Sequence, residues 1–341
     1  MEIITPESAG SYLQQHGIIP VGVTVSTELL GGGVSNRVIK VRWDDDCLVV
    51  KQPRANLAVD DDWPADRERV HNEAAAARAY ESIIGERGVP AAHVPNVVFE
   101  DRTDHVIALD CAPRSAKMWK SSLLEGEVNV DIARSVGRIL GAVHDASCED
   151  PDRRETFTSG RPFEQLRLNP YHRTVADRHP DVASQIEAEI ARICSVEATL
   201  VHGDYSPKNV LVEPYRSEPA VWIIDFEVAH WGDPSFDVAF MLNHLFIKSL
   251  YNHEQYDAYI DAARTFWKTY TNQVDWDVEH ATVSELSVLM LARVDGKSPV
   301  EYINEGPFAS EMRALAKRAI RAECSTLDEF IQLTKEVAQK L

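Results

Sequence analysis

The amino-acid sequence predicts an α+β fold in two lobes, a small sheet-rich one followed by a larger, mainly helical one. Three observations predict it. Residues 21–52 carry three short apolar runs parted by a glycine turn and an acidic turn, which is how neighbouring strands look in sequence. Residues 131–146 form an amphipathic helix with Ile132, Val136, Ile139, Leu140 and Val143 on one face, and 252–341 read as further helices. Between them, residues 200–237 hold two β-branched runs around a polar loop, then an apolar run that ends on an acid. Strands that end in acidic loops bring carboxylates to a sheet edge, where a ligand can reach them.

Composition sets the limits. The 341 residues suit one large or two modest domains, and 44% hydrophobic residues are enough for a full core. A net charge of -19 argues against a nucleic-acid partner, whose phosphates attract basic surfaces. It permits a cationic small molecule, and the excess of Arg over Lys among so many acids fits a salt-tolerant source. The five cysteines (Cys47, Cys111, Cys148, Cys194, Cys324) are scattered without a C-x-x-C pair, so reduced thiols in a cytoplasmic protein are expected, with no zinc site and no disulfide framework. The first residues lack the basic and apolar regions of a signal peptide, and no apolar stretch is long enough to cross a membrane. A monomer or homodimer is expected.

Thr5 to His16 read as a short helix that tolerates Pro6 in its first turn. Strands follow from Val21, with Gly31, Gly32 and Gly33 between the first two. Glycines at such a turn let backbone N–H groups approach phosphate oxygens, although most such turns only reverse the chain. Ser35 adds a hydroxyl. Lys51 closes the third strand, where a lysine ordinarily points into water. A helix is predicted over 65–84 from its Ala, Glu and Arg content. Two strands, VPNVVFED and HVIALDCAP, complete the first lobe. Beyond the amphipathic helix, whose last turn places His144 against the helix dipole, helices are predicted at roughly 161–175 and 181–197.

The polar loop carries Asp204 and Asn209 in the order D-x-x-x-x-N after His202 and Gly203, and Asp225 follows with Glu227 two residues on. Phosphoryl transfer needs such a set: one carboxylate orients the attacking hydroxyl, while an amide and a second carboxylate hold magnesium on the phosphates. Magnesium prefers oxygen ligands and keeps several waters, so few protein ligands suffice.

Protein kinases carry H-R-D-x-x-x-x-N followed by D-F-G; here the chain reads H-G-D-x-x-x-x-N followed by D-F-E. The H-G-D form resembles the aminoglycoside phosphotransferase superfamily, whose members phosphorylate small molecules. The resemblance covers nearly the whole chain. It implies a bilobal protein-kinase-like fold with lobes at 1–112 and 113–341, ATP and Mg2+ as cofactors, and a small-molecule hydroxyl as acceptor. Gly31, Gly33 and Val38 match the kinase glycine loop, with Asn36 in place of its third glycine. Lys51 is then the lysine that meets the nucleotide phosphates, held by Glu73 or, second, by Glu68. The backbone of Asp110 and Ala112, in the 110–113 hinge, is assigned to adenine. Asp204 becomes the base or positioning group, Asn209 and Asp225 the metal ligands, and Glu227 a ligand to a second metal or its water. Asp237 either props the catalytic loop or serves as an ordinary acid near a helix start.

Part of the chain is similar to the methylthioribose kinase branch. A tryptophan-bearing loop, here Trp63 beside Pro64, covers the active site in that branch, whereas a Trp next to Pro is ordinarily a packed anchor. Arg293 and Gly296 match its Arg-Arg-x-x-Gly pattern, with Ala292 in place of the first arginine, so Arg293 is assigned to substrate and catalysis. D-x-E is matched by Asp225 and Glu227, but Asn209 is kept where the branch tends to lose it. The readings are therefore a sugar kinase, favoured by Trp63 and Arg293; an aminoglycoside kinase, favoured by the acidic surplus; or a choline- or homoserine-type kinase. A non-catalytic nucleotide-binding protein would lack the lysine, the base or a metal ligand.

Overall fold

A computed structural model describes residues 2–31, 34–58, 63–213, 218–303, 306–322 and 324–341. Helix α1 (Pro6–Gln15) is started by a capping box between Thr5 and Ser8. Strands β1 (Ser26–Leu29), β2 (Asn36–Trp43) and β3 (Asp46–Pro53) follow, then α2 (Arg69–Arg87), which ends on Gly88 in the left-handed region, then β4 (Ala92–His93), β5 (Val97–Asp101) and β6 (Val106–Asp110). Five of these strands form one antiparallel sheet in the order β1-β2-β3-β6-β5. Period-two alternation in β2 buries Ile39 and Val41 against Tyr12 and Leu13 of α1. The opposite face takes α2 through Val70 and Ala74, which pack on Ile107 and Leu109.

Cys47 and Cys111 form a disulfide, with Cα atoms 5.6 Å apart, which corrects the expectation of reduced thiols throughout. The physical reason is register. Leu48 pairs with Asp110 across β3 and β6, so the residues just before and just after that pair face each other. Sequence spacing does not show a cross-strand neighbour 64 residues away.

The second lobe opens with β7 (Lys117–Met118), α3 (Trp119–Leu124) and α4 (Val130–Ser147), whose predicted apolar face is buried. Short helices α5 (Pro151–Thr156) and α6 (Arg161–Phe163) lead into a π-helical segment, Glu164–Arg173, and then α7 (Thr174–Arg178). The predicted helix at 161–175 is therefore a continuous helical path widened where Pro170 offers no N–H. After α8 (Ala183–Ser195) come β8 (Thr199–Val201), β9 (Val210–Glu213), β10 (Ala220–Ile223) and β11 (His230–Gly232). Strands β4, β10, β9 and β7 form a second sheet, and β11 pairs with β8. Helix α9 (Pro234–Tyr251) is buried on all sides from Pro234 to Leu250, as expected of a helix that is apolar around its circumference. Helices α10 (Tyr256–Thr271), α11 (Glu279–Asp295) and α13 (Leu327–Ala338) pack on it, and α12 (Pro307–Ala322) packs on α11. No helix among the described residues is long and apolar enough to cross a membrane.

Candidate active site

The polar loop between β8 and β9 and the turn after β10 face the first sheet. Gly203 has φ +75, and a Cβ there would lie 2.7 Å from the Val228 carbonyl oxygen, so only glycine fits between the histidine and the acid. Asp237, on the first turn of α9, accepts from His202 N (2.6 Å) and Gly203 N (2.8 Å). The loop-propping role is thus the one the structure supports. His144 lies 3.3 Å from the same carboxylate and 3.0 Å from the Tyr270 hydroxyl. It is a buried member of the prop, and not simply a side chain near a helix end.

The lobes join at Lys51. Its Nζ lies 2.5 Å from Glu73 Oε1 and 2.7 Å from Asp225 Oδ1. Burial presses this ammonium toward neutrality, but Asp225 and Glu73 outweigh it and hold its pKa above the usual lysine range. Burial pushes Glu73 up to about 7 against the pull of Lys51. Asp225 is also opposed by burial, yet Lys51 and then Lys208 keep it well below the usual carboxylate range. Asp225 sits at φ +73, a sparsely populated conformation for a residue with a side chain and one typical of functional sites. Glu73 rather than Glu68 is the partner of the lysine.

Asp204 lies between two cations, Arg167 Nη2 at 3.0 Å from Oδ1 and Lys208 Nζ at 2.8 Å from Oδ2. Burial would raise this carboxyl, but Arg167 and Lys208 outweigh it and hold it below the usual range, so it is ionised. Oδ1 makes the ion pair without a hydrogen bond, which leaves it able to accept a hydroxyl proton. Asn209 Nδ2 donates to the Asp204 carbonyl at 2.9 Å, which fixes the amide within the loop. Ile224 N donates to Asn209 O at 3.1 Å, tying the turn before Asp225 to the loop.

Other assignments change. Glu227 Oε2 accepts from Arg69 Nε and from Asn36 Nδ2, both at 3.0 Å. One oxygen of Glu227 is thus committed to a guanidinium and an amide and acts as a latch. Arg69 also donates to the carbonyls of Ser35 (2.6 Å) and Arg54 (2.9 Å) and so clasps the end of the glycine turn. Gly31 is open, with room for a Cβ, while Gly32 and Gly33 lie outside the described residues. Ser35 adjoins the latch through its backbone carbonyl. Trp63 is 5% exposed and donates from Nε1 to the Gln165 carbonyl at 2.8 Å, so its ring is a packed anchor and not an open lid. Asp110 N–H is committed to the Asn96 carbonyl at 3.0 Å and its carboxylate to Asn96 as well. Its N–H is therefore taken within the sheet lobe. Arg293 donates to the Tyr171 hydroxyl at 2.9 Å and to the Ser298 carbonyl at 2.5 Å. A Cβ on Gly296 would meet the Ala292 carbonyl oxygen at 2.5 Å, which explains the glycine after α11.

Sequence reasoning missed Arg69, Arg167, Tyr171 and Lys208. Lys208 carries a signal, four residues after Asp204 in the same loop. Arg167 lies on a distant π-helical turn, and nothing local marks it. Among the described residues no three His, Cys, Asp or Glu side chains cluster around a metal position.

Comparison with known proteins gives the family and the fold. The family model described as "Phosphotransferase enzyme family" matches residues 26–272. A methylthioribose kinase of Bacillus cereus is 22% identical over 279 residues, 74% of this chain and 68% of that one. A 4-hydroxytryptamine kinase of Psilocybe cyanescens is 21% identical over 306 residues, covering 82% and 83%. Among solved structures, a spectinomycin phosphotransferase in complex with ADP and spectinomycin superposes with a TM-score of 0.54 at 12% identity, over 99% of this chain and 98% of that one. A choline kinase from Streptococcus pneumoniae gives 0.52 at 14% identity, over 93% and 98%. At such identities the superpositions establish the fold.

Proposed function

This chain belongs to the phosphotransferase enzyme family and is a kinase, and from that premise we propose that it moves the γ-phosphate of ATP to a hydroxyl of a sugar or sugar-like metabolite. The observation that carries the reading is Lys51, held at once by Glu73 and Asp225. A lysine so fixed offers its charge to nucleotide phosphates at the junction of the lobes, which we place between residues 112 and 113. Lys51, Asp204, Asn209 and Asp225 are all present, and a non-catalytic nucleotide-binding protein predicts the loss of at least one.

In this mechanism Asn209 and Asp225 would hold magnesium, which when bound neutralises charge on the transferring phosphoryl group. Gly31 and Ser35, on either side of the glycine turn, would offer backbone donors to the phosphates. Asp204, kept ionised by Arg167 and Lys208, accepts the acceptor hydroxyl and aims its oxygen. So acidic a carboxylate is a weak base, which suits a loose transition state in which proton removal comes late and alignment supplies most of the rate. The sugar-like acceptor is supported by the methylthioribose kinase relatives and by Arg293 beside Tyr171.

The test is magnesium-dependent ATP consumption against sugars, aminoglycosides and amino alcohols. Consumption that rises with a sugar or polyol supports the reading. Consumption only with aminoglycosides or amino alcohols reassigns the acceptor. Nucleotide binding without consumption by any hydroxyl compound overturns the kinase mechanism.

A further inference from the structure

Around Asp204 the protein gathers cations, although the whole chain carries a net charge of -19. Helix α9 places Phe240, His244 and Lys248 four residues apart, on one face. The Arg167 guanidinium lies 5.4 Å from the Phe240 ring centroid, and Tyr171 stacks on that ring at 6.1 Å. Phe240 in turn meets His244 at 5.3 Å. Lys248 Nζ donates to the Tyr302 hydroxyl at 3.2 Å and lies 5.4 Å from that ring centroid. From α11, Arg293 reaches the Tyr171 hydroxyl. From α3, Lys120 pairs with Glu301 at 2.9 Å. His244 feels Lys248, Arg293, Lys208 and Lys120 together, and burial with these four cations keeps its ring neutral.

The charges do not balance. Asp204 is shared by Arg167 and Lys208, and Glu301 is taken by Lys120. Lys248 is 1% exposed, and among the described residues it has no carboxylate partner. Among the same residues Arg293 hydrogen-bonds to neutral oxygens, and its Nε is buried without a partner. A buried cation without a counter-charge is expensive: burial and its neighbours push Lys248 down to about 7, so it gives up its proton readily and would take it back when an anion arrives, whereas the Arg293 guanidinium stays charged. A protein so rich in acids supplies counter-charges freely at other places and leaves them out at this one. The completing negative charge is then expected from a ligand.

We propose that the acceptor of this kinase carries an anionic group, a carboxylate or a phosphate, which docks against Arg293 and Lys208 in front of Tyr302 and Lys248 while the acceptor hydroxyl faces Asp204. This rests on the kinase reading and names the class of its substrate. It separates this protein from kinases of cationic acceptors, for which the same side chains would be repulsive.

The probes are sulfate, D-gluconate and the neutral polyol D-glucitol, each titrated by thermal shift against the full chain saturated with ADP and magnesium. Sulfate and gluconate are expected to raise the melting temperature in a saturable way, and glucitol to do so at least about tenfold more weakly. Lys248→Met and Arg293→Met, on different helices, should each reduce the anion response while melting cooperatively without anion. No anion-dependent shift in the parent chain, or a shift in both variants equal to the parent's, overturns the proposal; the latter would put the anion at the γ-phosphate position beside Lys51. ATP consumption on matched pairs, D-ribose with D-ribose 5-phosphate and D-glucitol with D-gluconate, separates the two readings. Turnover without preference for the anionic partner overturns the anion subsite and leaves the kinase standing. Anion binding at Lys248 and Arg293 without any turnover keeps the subsite and counts against the kinase reading.

Discussion

Arg69 Nε lies 3.0 Å from Glu227 Oε2, so a helix of the sheet lobe holds an acid from the turn that follows Asp225. Both side chains are nearly dry, at 1% and 7% exposure. Removing one partner leaves the other charge buried and unpaired, at a cost of about 3–5 kcal/mol. Arg69→Met is therefore expected to lower unfolding stability by that order and to raise the KM for nucleotide, because the same guanidinium clasps the carbonyls of Ser35 and Arg54. Urea unfolding and nucleotide kinetics check it. The double variant Arg69→Met/Glu227→Gln should recover part of the stability loss, whereas additive losses would mean that the pair is not coupled.

The prop under the catalytic loop predicts a different pattern. Asp237 carries two backbone donors and approaches His144, with no exposure at all. Asp237→Asn keeps the shape but replaces one accepting oxygen with a donor that faces another donor. A fall in kcat of about 10²-fold is expected from a misplaced loop, with nucleotide KM changed little. Loss of nucleotide affinity with kcat retained would contradict the prop.

The disulfide predicts a count. Of five cysteines, Cys148, Cys194 and Cys324 are free, so denatured, unreduced protein should titrate three thiols, rising to five after reduction. Closing a loop of that length is worth about 4 kcal/mol in the chain-entropy account, so Cys47→Ser should lower the urea midpoint. Five thiols without reductant would remove the bond.

Much of the fold was legible because period and punctuation repeat locally. The capped first helix, the alternating β2 strand and the α4 face carry their own signals. Within the site, Asp204, Asn209 and Asp225 were legible from spacing, and Lys51 and Glu73 from order along the chain. What was not legible depended on pairings over long separations. Arg167 meets Asp204 from a π-helical turn, and Cys47 meets Cys111 through strand register. The Glu227 latch was not legible because its sequence neighbourhood does not reveal that Arg69, 158 residues away, reaches its oxygen. The engagement of Asp110 N–H was not legible because its partner Asn96 lies 14 residues away, just before β5.

Lys248 gives the pH prediction. Burial, then Lys120 and Arg293, push its pKa down to about 7, with Glu301 pulling the other way. His244 and Tyr302 complete its surroundings. Its folded pKa is below the unfolded one, so between about 7 and about 10 the unfolded chain binds more protons than the native one. Stability from this group is fully present above the unfolded value and is lost as pH falls toward 7. Relative to Lys248→Met, the parent chain should gain stability as pH rises from 7 to 9, measured by urea midpoint at each pH. An unchanged difference would show that the lysine titrates normally.

The central claim is that Asp204 aims the acceptor hydroxyl at a nucleotide held by Lys51, Asn209 and Asp225. Its most direct test is Asp204→Ala, with nucleotide binding and magnesium-dependent ATP turnover measured on one preparation alongside the parent chain. The account predicts nucleotide affinity within about twofold of the parent and turnover lower by about 10²–10⁴-fold. Turnover equal to the parent's in that variant would contradict it.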